Sequence, residues 1–359
     1  MKEKLYPFHV VILIYMIQTG VVIFSLPRLL AQSFGYNGWA SLLIFTGVST
    51  FNIFLISFVY RLGKGRSIFD ILENSMPKVL VYPLYLVMIS VWGILGCIVG
   101  KLYIIIFQMI AFPTTPPMFL NALVDIIAYL LIVKGIYSIS KAATSFFWIS
   151  IWMLLLLVFF LHDFEWANLT PFLFMGKTEM IKGGLDIYTA FLGYELSLLL
   201  FPYVEKNNKF IKSVYIGNLF TISTYLLISF ICFGFYSLGQ LTKMNYPLLD
   251  LLSYIRFPFI ERIENLLFGF FLFTELITIV MYIWSAVETL HRIIPKANTN
   301  WLTIFILGGC FVVTWIPDSI SEIERWLRYL GYAEIGIAFG LPLLLVGILF
   351  ISKGADRNA

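Results

Sequence analysis

Charge is what this sequence has least of. Asp, Glu, Lys and Arg make up 12% of its 359 residues, about half the usual share of a soluble domain. Hydrophobic residues make up 60%, and the mean hydropathy is +0.91. A soluble globular chain is excluded, and so is a nucleic-acid binder driven by a basic face, because the formal net charge of +4 comes from residues scattered between apolar runs. Cysteine is nearly absent too. Cys97, Cys232 and Cys310 lie far apart in separate apolar runs, which rules out a disulfide framework and offers no metal spacing. The three histidines, His9, His162 and His291, stand near the ends of apolar runs. There is no HExxH, no P-loop and no Gly-x-Gly-Asp of intramembrane proteases, so neither an enzyme nor a cofactor is expected. Long polar stretches are missing as well; the longest candidate loops are 163–182, 238–261 and 318–332, too short for a soluble domain.

What fills the chain is a series of apolar runs long enough to cross a bilayer. Ten can be drawn, at about 8–31, 37–60, 79–111, 118–134, 143–162, 183–204, 213–237, 262–290, 300–317 and 333–352. The fold class expected is an all-α polytopic membrane protein of ten transmembrane helices, a single integral membrane domain over 1–359. Lys2 and Lys4 before the first run imitate a signal peptide, but no small-residue cleavage pattern follows, and a retained first span is expected. The 35 Phe, 20 Tyr and 9 Trp suit lipid-facing surfaces and interfacial belts. Ten spans place both termini on one side, and 15 of the 24 Lys and Arg fall in segments on that side against 8 on the other. Both termini are therefore expected in the cytoplasm. Between the last two spans, Ser319-Ile320-Ser321-Glu322 reads as a capping box opening a short amphipathic helix at the outer interface. Pro247–Ile255, before Arg256-Phe257-Pro258, reads the same way.

Two of the spans are interrupted. Span 6 contains Gly193 and Glu195 within Tyr188–Glu205, with Pro202 near its end. A charged side chain at bilayer depth costs about 2.5–3.5 kcal/mol on insertion scales, and a glycine beside it permits the backbone to leave helical geometry. Such breaks are tolerated only where they line a cavity or are buried in protein. A kinked span with a protonated, hydrogen-bonded glutamate is the plain alternative. The matching break is in span 1, where Gln18-Thr19-Gly20 is followed by Pro27. Spans 1 and 6 open two sets of five, which points to a five-plus-five inverted repeat, about 7–162 and 181–352, with a small-molecule site at the midplane.

Other polar groups fall at membrane depth. Lys101 and Gln108 share a face of span 3, whose Gly93, Gly96 and Gly100 offer close packing. A lysine there needs a carboxylate or a wet cavity; Asp125, Glu195 and Glu275 are the candidates for a partner, and a structural ion pair is an equally good reading. Span 8 carries Glu275, Thr278, Tyr282 and Ser285 as a polar stripe at helical spacing, while Glu288 near its end is expected to face headgroups or basic loops. The triplet Asn168-Leu169-Thr170 is followed by Pro171 and is discounted as a glycosylation site.

These residues resemble a known family. Gly20-Val21-Val22-Ile23-Phe24-Ser25-Leu26-Pro27 is similar to the Gly-x-Gly-Ile-Phe…Pro break of amino acid/polyamine/organocation transporters, with Val22 in place of the second glycine. Asn168-Leu169-Thr170-Pro171-Phe172, Leu192-Gly193-Tyr194-Glu195, Glu261-Arg262-Ile263-Glu264, Trp315-Ile316-Pro317-Asp318 and Tyr329-Leu330-Gly331-Tyr332 resemble the spore permease family, which supplies the B subunits of endospore germinant receptors. The resemblance implies a leucine-transporter-type fold with broken helices 1 and 6. It also implies the spore inner membrane as location, with a larger A-type membrane subunit and a C-type lipoprotein as partners. The implied role is binding a small germinant, usually an amino acid, and triggering germination. Its site would lie between helices 1, 3, 6 and 8, with Thr19, Gly20, Val21, Val22, Lys101, Leu192, Gly193, Tyr194, Glu195, Glu275 and Thr278 as candidate ligand-binding residues. A proton-coupled amino-acid transporter, with Glu195 or Glu275 as proton carrier, is the alternative function.

Overall fold

Apolar runs of this length leave the backbone one way to satisfy its N–H and C=O groups without water, which is to bond them within each segment as helix. The computed structural model follows that rule. It describes residues 4–169, 173–175, 180–205, 209–255 and 263–358, with the backbone alone for 352–358. Thr170-Pro171-Phe172, Arg256-Phe257-Pro258 and Glu261-Arg262 of the sequence motifs lie outside the described residues, as do the basic residues Lys2, Lys177 and Lys206.

In chain order the helices are α1 (Pro7–Gln18), α2 (Leu26–Phe34), α3 (Ser41–Leu62), α4 (Ile68–Ser75), α5 (Lys78–Ala111), α6 (Pro117–Ile132) and α7 (Ile136–Ile151). They are followed by α8 (Met180–Tyr188), α9 (Lys209–Phe235), α10 (Leu238–Leu241), α11 (Pro247–Leu252), α12 (Ile263–Ile293), α13 (Thr299–Val313) and α14 (Ile320–Asn358). Among the described residues six 3₁₀ segments, Val21–Phe24, Gly38–Ala40, Trp152–Leu161, Trp166–Asn168, Thr189–Phe191 and Tyr194–Tyr203, continue or link them. Among the described residues seven helical runs are long and apolar enough to cross a membrane, and the shorter apolar helices α1, α6 and α13 occupy the positions of the remaining expected spans. Among the same residues the only β pairing is a bridge between Leu5 and Val204.

The runs differ in how deeply they sit. The most apolar window of Met180–Tyr203 is 83% buried and that of α12 is 72% buried, whereas Ile136–Leu161 is 28% buried. The broken span and α12 are therefore central, and α7 faces outward. Small residues make the closest approach. A Cβ on Gly96 would stand 3.0 Å from Tyr282 Cβ, and one on Gly100 would stand 2.8 Å from Ile279 Cδ1, so these glycines let α5 lie directly on α12.

Three sequence expectations need correction. The predicted interfacial helix at 319–330 and the span at 333–352 are one continuous helix, α14. Half of the expected capping box forms, with Glu322 N donating to Ser319 Oγ at 3.3 Å, while Glu322 Oε2 accepts from Asp318 N at 3.1 Å, and Gly331 does not end the helix. A glycine costs a helix interior only about 1 kcal/mol, and here it admits a close neighbour, since a Cβ would fall 2.6 Å from Thr189 Cγ2. Secondly, α11 is not a loosely lying helix but packs its Pro247, Leu248, Leu249, Leu251 and Leu252 into the protein, all buried. Thirdly, α7 starts at Ile136, seven residues before the expected span. The turn at Gly135, with φ +79°, lets the chain reverse directly after α6, and Lys141 is accommodated inside the helix with its ammonium 4.3 Å over the Tyr137 ring.

Candidate functional site

The first interruption separates α1 from α2. α1 ends at Gln18, Gly20 is extended (φ −97°, ψ −175°), and helical turns resume at Val21. Pro27 stands at the start of α2, where its missing N–H costs nothing. A broken helix exposes carbonyls on one side of the gap and amides on the other. Both sets are met by side chains. Thr278 Oγ1 donates to the carbonyls of Met16 and Ile17 at 3.1 Å each, and Tyr225 OH donates to Gln18 O at 2.7 Å. Across the gap Val21 N donates to Glu275 Oε2 at 2.9 Å.

The second interruption lies at Leu192-Gly193. Leu192 is extended, and Gly193 takes φ +119°, a backbone state that L side chains rarely adopt. Gly193 N donates to both oxygens of Glu195, at 2.8 and 2.7 Å. On the other side of this gap, Tyr225 OH donates to Ala190 O at 3.0 Å and Gln18 Nε2 to Phe191 O at 2.6 Å. Gln18 and Tyr225 thus serve both interruptions at once. The two breaks touch: a Cβ on Gly193 would lie 2.7 Å from Ile17 Cγ2. Close by, Tyr188 and Tyr194 join their hydroxyls at 2.7 Å.

A cavity of about 300 Å³ opens between the breaks. Its floor is formed by Gly20, Val21, Val22, Thr189, Ala190 and Leu192, and its wall by Leu95, Val99 and Leu102 of α5 with Thr278 and Tyr282 of α12. Arg28, Asp186, Glu324 and Arg328 line its mouth. There Arg28 Nη2 is 3.2 Å from Glu324 Oε1, Arg328 Nε is 3.3 Å from Asp186 Oδ1, and Tyr332 OH donates to Asp186 at 2.5 Å. The opposite end of the bundle is closed. Leu5 N donates to Tyr203 O at 2.9 Å, Tyr203 OH to Glu288 Oε1 at 2.9 Å, and Arg292 pairs with Asp70 at 3.0 Å over the Phe69 ring.

Of the candidate ligand residues, Gly20, Val21, Val22, Leu192 and Thr278 line this cavity. Gly193, Tyr194, Glu195 and Glu275 lie against the breaks behind its floor. Thr19 turns the other way, onto a smaller space of about 60 Å³ shared with Tyr15, Phe271 and Thr274. Lys101 stands apart. The residue is 5% exposed, and its ammonium donates to the carbonyls of Thr314 and Pro317, the latter at 2.6 Å, and not to Asp125, Glu195 or Glu275. The carbonyls left open at the end of α13 give it partners without a second buried charge. Asp125 instead accepts from Asn121 Nδ2 at 3.2 Å.

Several participants carry a sequence signal too weak to single them out. Gln18 is visible as a polar residue at mid-span, and Tyr282 as part of the α12 stripe. Glu334 stands at the edge of the expected last span; with α14 continuous it falls inside the helix, fully buried. Trp92 Nε1 donates to its Oε1 at 2.9 Å.

Comparison with known proteins gives this geometry its context. The structure is similar to that of Mhp1, a nucleobase-cation-symport-1 family transporter, in a closed conformation with bromovinylhydantoin bound. The TM-score is 0.67 at 12% identity, over 94% of this chain and 77% of that one. The shared fold is of the leucine-transporter type. The chain is 25% identical to spore germination protein GerQB of Bacillus cereus over 94% of each chain. It is 23% identical to spore germination protein A2 of Bacillus subtilis (strain 168), over 98% of this chain and 96% of that one. Spore germination protein XB of Bacillus anthracis matches at 24% over 98% and 99%. The family model of spore germination proteins matches residues 4–323. With its apolar helices, this chain is an integral membrane protein and no enzyme, and it belongs to the spore permease family.

Proposed function

We propose that this chain is the nutrient-sensing B-type subunit of a spore germinant receptor and that the cavity between the two breaks holds the germinant. The observation that carries the reading is the cavity itself: about 300 Å³, floored by two stretches of interrupted backbone and walled by Leu95, Val99 and Leu102. That size and apolar lining are those of a small-molecule site. A compact zwitterion would compete with Thr278 and Glu275 for the main-chain groups of the first break, the α5 leucines and valine suit a mid-sized apolar side chain, and a free amino acid combines the two. The mouth opens on the side opposite the basic-rich segments, which supports an outward-facing cavity and cytoplasmic termini for a chain in the spore inner membrane. The A-type membrane subunit and C-type lipoprotein are the partners through which occupancy of the cavity triggers germination.

Gly20→Leu tests this. Gly20 faces the cavity, and the nearest atom to an added Cβ is Glu275 Oε2 at 3.8 Å, so the backbone accepts a side chain whose bulk fills the space. Spores holding normal amounts of the variant should lose their response to the nutrient that acts on wild type; an unchanged dose-response overturns the reading. Amino-acid flux into proteoliposomes containing this chain alone would move the assignment to a proton-coupled transporter.

A further inference from the structure

Two buried acids meet where the broken span touches α14. Glu195 is 2% exposed and Glu334 is not exposed at all, and the two carboxyl groups face each other closely enough to interact directly. The donors that reach the two carboxyl groups are few. Gly193 N–H serves both oxygens of Glu195, Tyr282 OH donates to Glu195 Oε1 at 3.3 Å, and Trp92 Nε1 donates to Glu334 Oε1. Glu334 Oε2 is left with no protein donor. Two carboxylates cannot hydrogen-bond to each other, and like charges at contact in a dry interior repel strongly. One proton between them turns the repulsion into a charge-assisted hydrogen bond and gives Glu334 Oε2 its partner.

Trp92 comes from α5, Tyr282 from α12, and Tyr194 from the same 3₁₀ segment as Glu195. Tyr188 from α8 and Asn52 from α3 stand behind Tyr194. None of these residues is a cation, so no ammonium or guanidinium among them replaces the proton. From this arrangement we propose that Glu195 and Glu334 form a one-proton binding site that fastens the interrupted span to α14. Losing the proton sets two carboxylates against each other and separates those elements; regaining it draws them together.

The pair is positioned to sense the cavity. Tyr282 lines the cavity wall and its hydroxyl donates to Glu195. One turn before Glu334, Gly331 lines the same cavity and packs on Thr189. A ligand that moves Tyr282 or the Thr189–Gly331 contact therefore changes the surroundings of the shared proton. Only this last role rests on the proposed germinant site; the proton site stands without it.

The test is infrared spectroscopy of the full chain in lipid nanodiscs at neutral pH, with no germinant added. Wild type should show a protonated-carboxyl C=O band that shifts on exchange into deuterium oxide. A glutamine at either position can donate its amide N–H to the remaining carboxylate, so Glu195→Gln and Glu334→Gln should each lose one carboxyl's worth of that band. The double variant should lose no more than either single one, because the two residues hold one proton between them. Absence of any such band in wild type overturns the proposal, and that measurement requires no variant. Losses that add in the double variant also overturn it, since they mean two separately held protons. If Gly20→Leu leaves the nutrient response unchanged while the infrared result holds, the germinant reading fails and the proton site remains.

Discussion

The two interruptions solve one problem by different means. At the α1–α2 break the freed amide of Val21 is received by Glu275, a residue 254 positions away on α12. At the α8 break the freed amide of Gly193 is received by Glu195, two positions along the same segment. The glycines differ as well. Gly20 is extended, in a region any residue adopts, with no heavy atom closer than 3.8 Å to an added Cβ; Gly193 holds a positive φ against Ile17. The second break is shaped by its own sequence, and the first is held in shape by α12. A displacement of α12 would break the cap of the first break directly, whereas at the second it would remove only the Tyr282 hydroxyl and leave the Gly193–Glu195 bonds in place.

Substitutions can break or sharpen that contrast. The largest effect is expected for Glu195→Ala, which strands the Gly193 amide and the Tyr282 hydroxyl and leaves Glu334 without its carboxyl partner. Each buried donor so stranded costs about 1–3 kcal/mol, so the variant should be strongly depleted from the membrane fraction on an immunoblot. Wild-type abundance would remove the claim that Glu195 organises its break. Gly193→Ala follows, with backbone strain of about 1–3 kcal/mol added to the clash with Ile17; its thermal midpoint in detergent should drop by several degrees. Glu275→Ala strands the single Val21 amide, a loss of about 1–3 kcal/mol, and restoration by glutamine, which keeps an acceptor, would show that hydrogen bonding rather than charge holds the first break. A melting midpoint unchanged in the alanine variant would show that α12 does not hold it.

Smaller effects are expected away from the caps. Arg28→Met removes the Arg28–Glu324 pair at the mouth, and partly exposed pairs contribute about 0–1 kcal/mol; abundance should stay near wild type and the melting midpoint should scarcely move. Gly20→Ala should be the mildest, within about 0.5 kcal/mol of wild type. A large destabilisation there would mean that the first break, like the second, depends on its glycine.

The breaks are legible in the sequence because glycine, proline and a carboxylate rarely share an apolar run unless its helix is interrupted, and both fall where the motifs placed them. The α12 stripe is readable on similar grounds: Glu275, Thr278 and Tyr282 each reach one of the breaks, while Ser285 bonds back to Met281 O. The partners are not readable. That Lys101 meets the Thr314 and Pro317 carbonyls, or that Glu334 meets Glu195, depends on the rotation and depth of helices, which packing across the bundle sets. Gly331 looks like a helix end by local propensity, worth about 1 kcal/mol, and the contact with Thr189 outweighs it. The mouth pairs join residues far apart in the chain, and nothing local marks Arg28 or Asp186 as members.

The continuity of α14 has a mechanical consequence. At about 1.5 Å per residue its 39 residues extend for roughly 58 Å, nearly twice the hydrocarbon thickness of a bilayer. Glu334 lies near one third of that length, leaving roughly 36 Å of rod beyond it. If the rod turns about that point as one piece, a tilt of about 5° carries the C-terminal end sideways by roughly 3 Å. Moving so, the helix would be a lever whose short arm borders the cavity and whose longer arm, with Pro342 as its one interior proline, would carry the larger displacement.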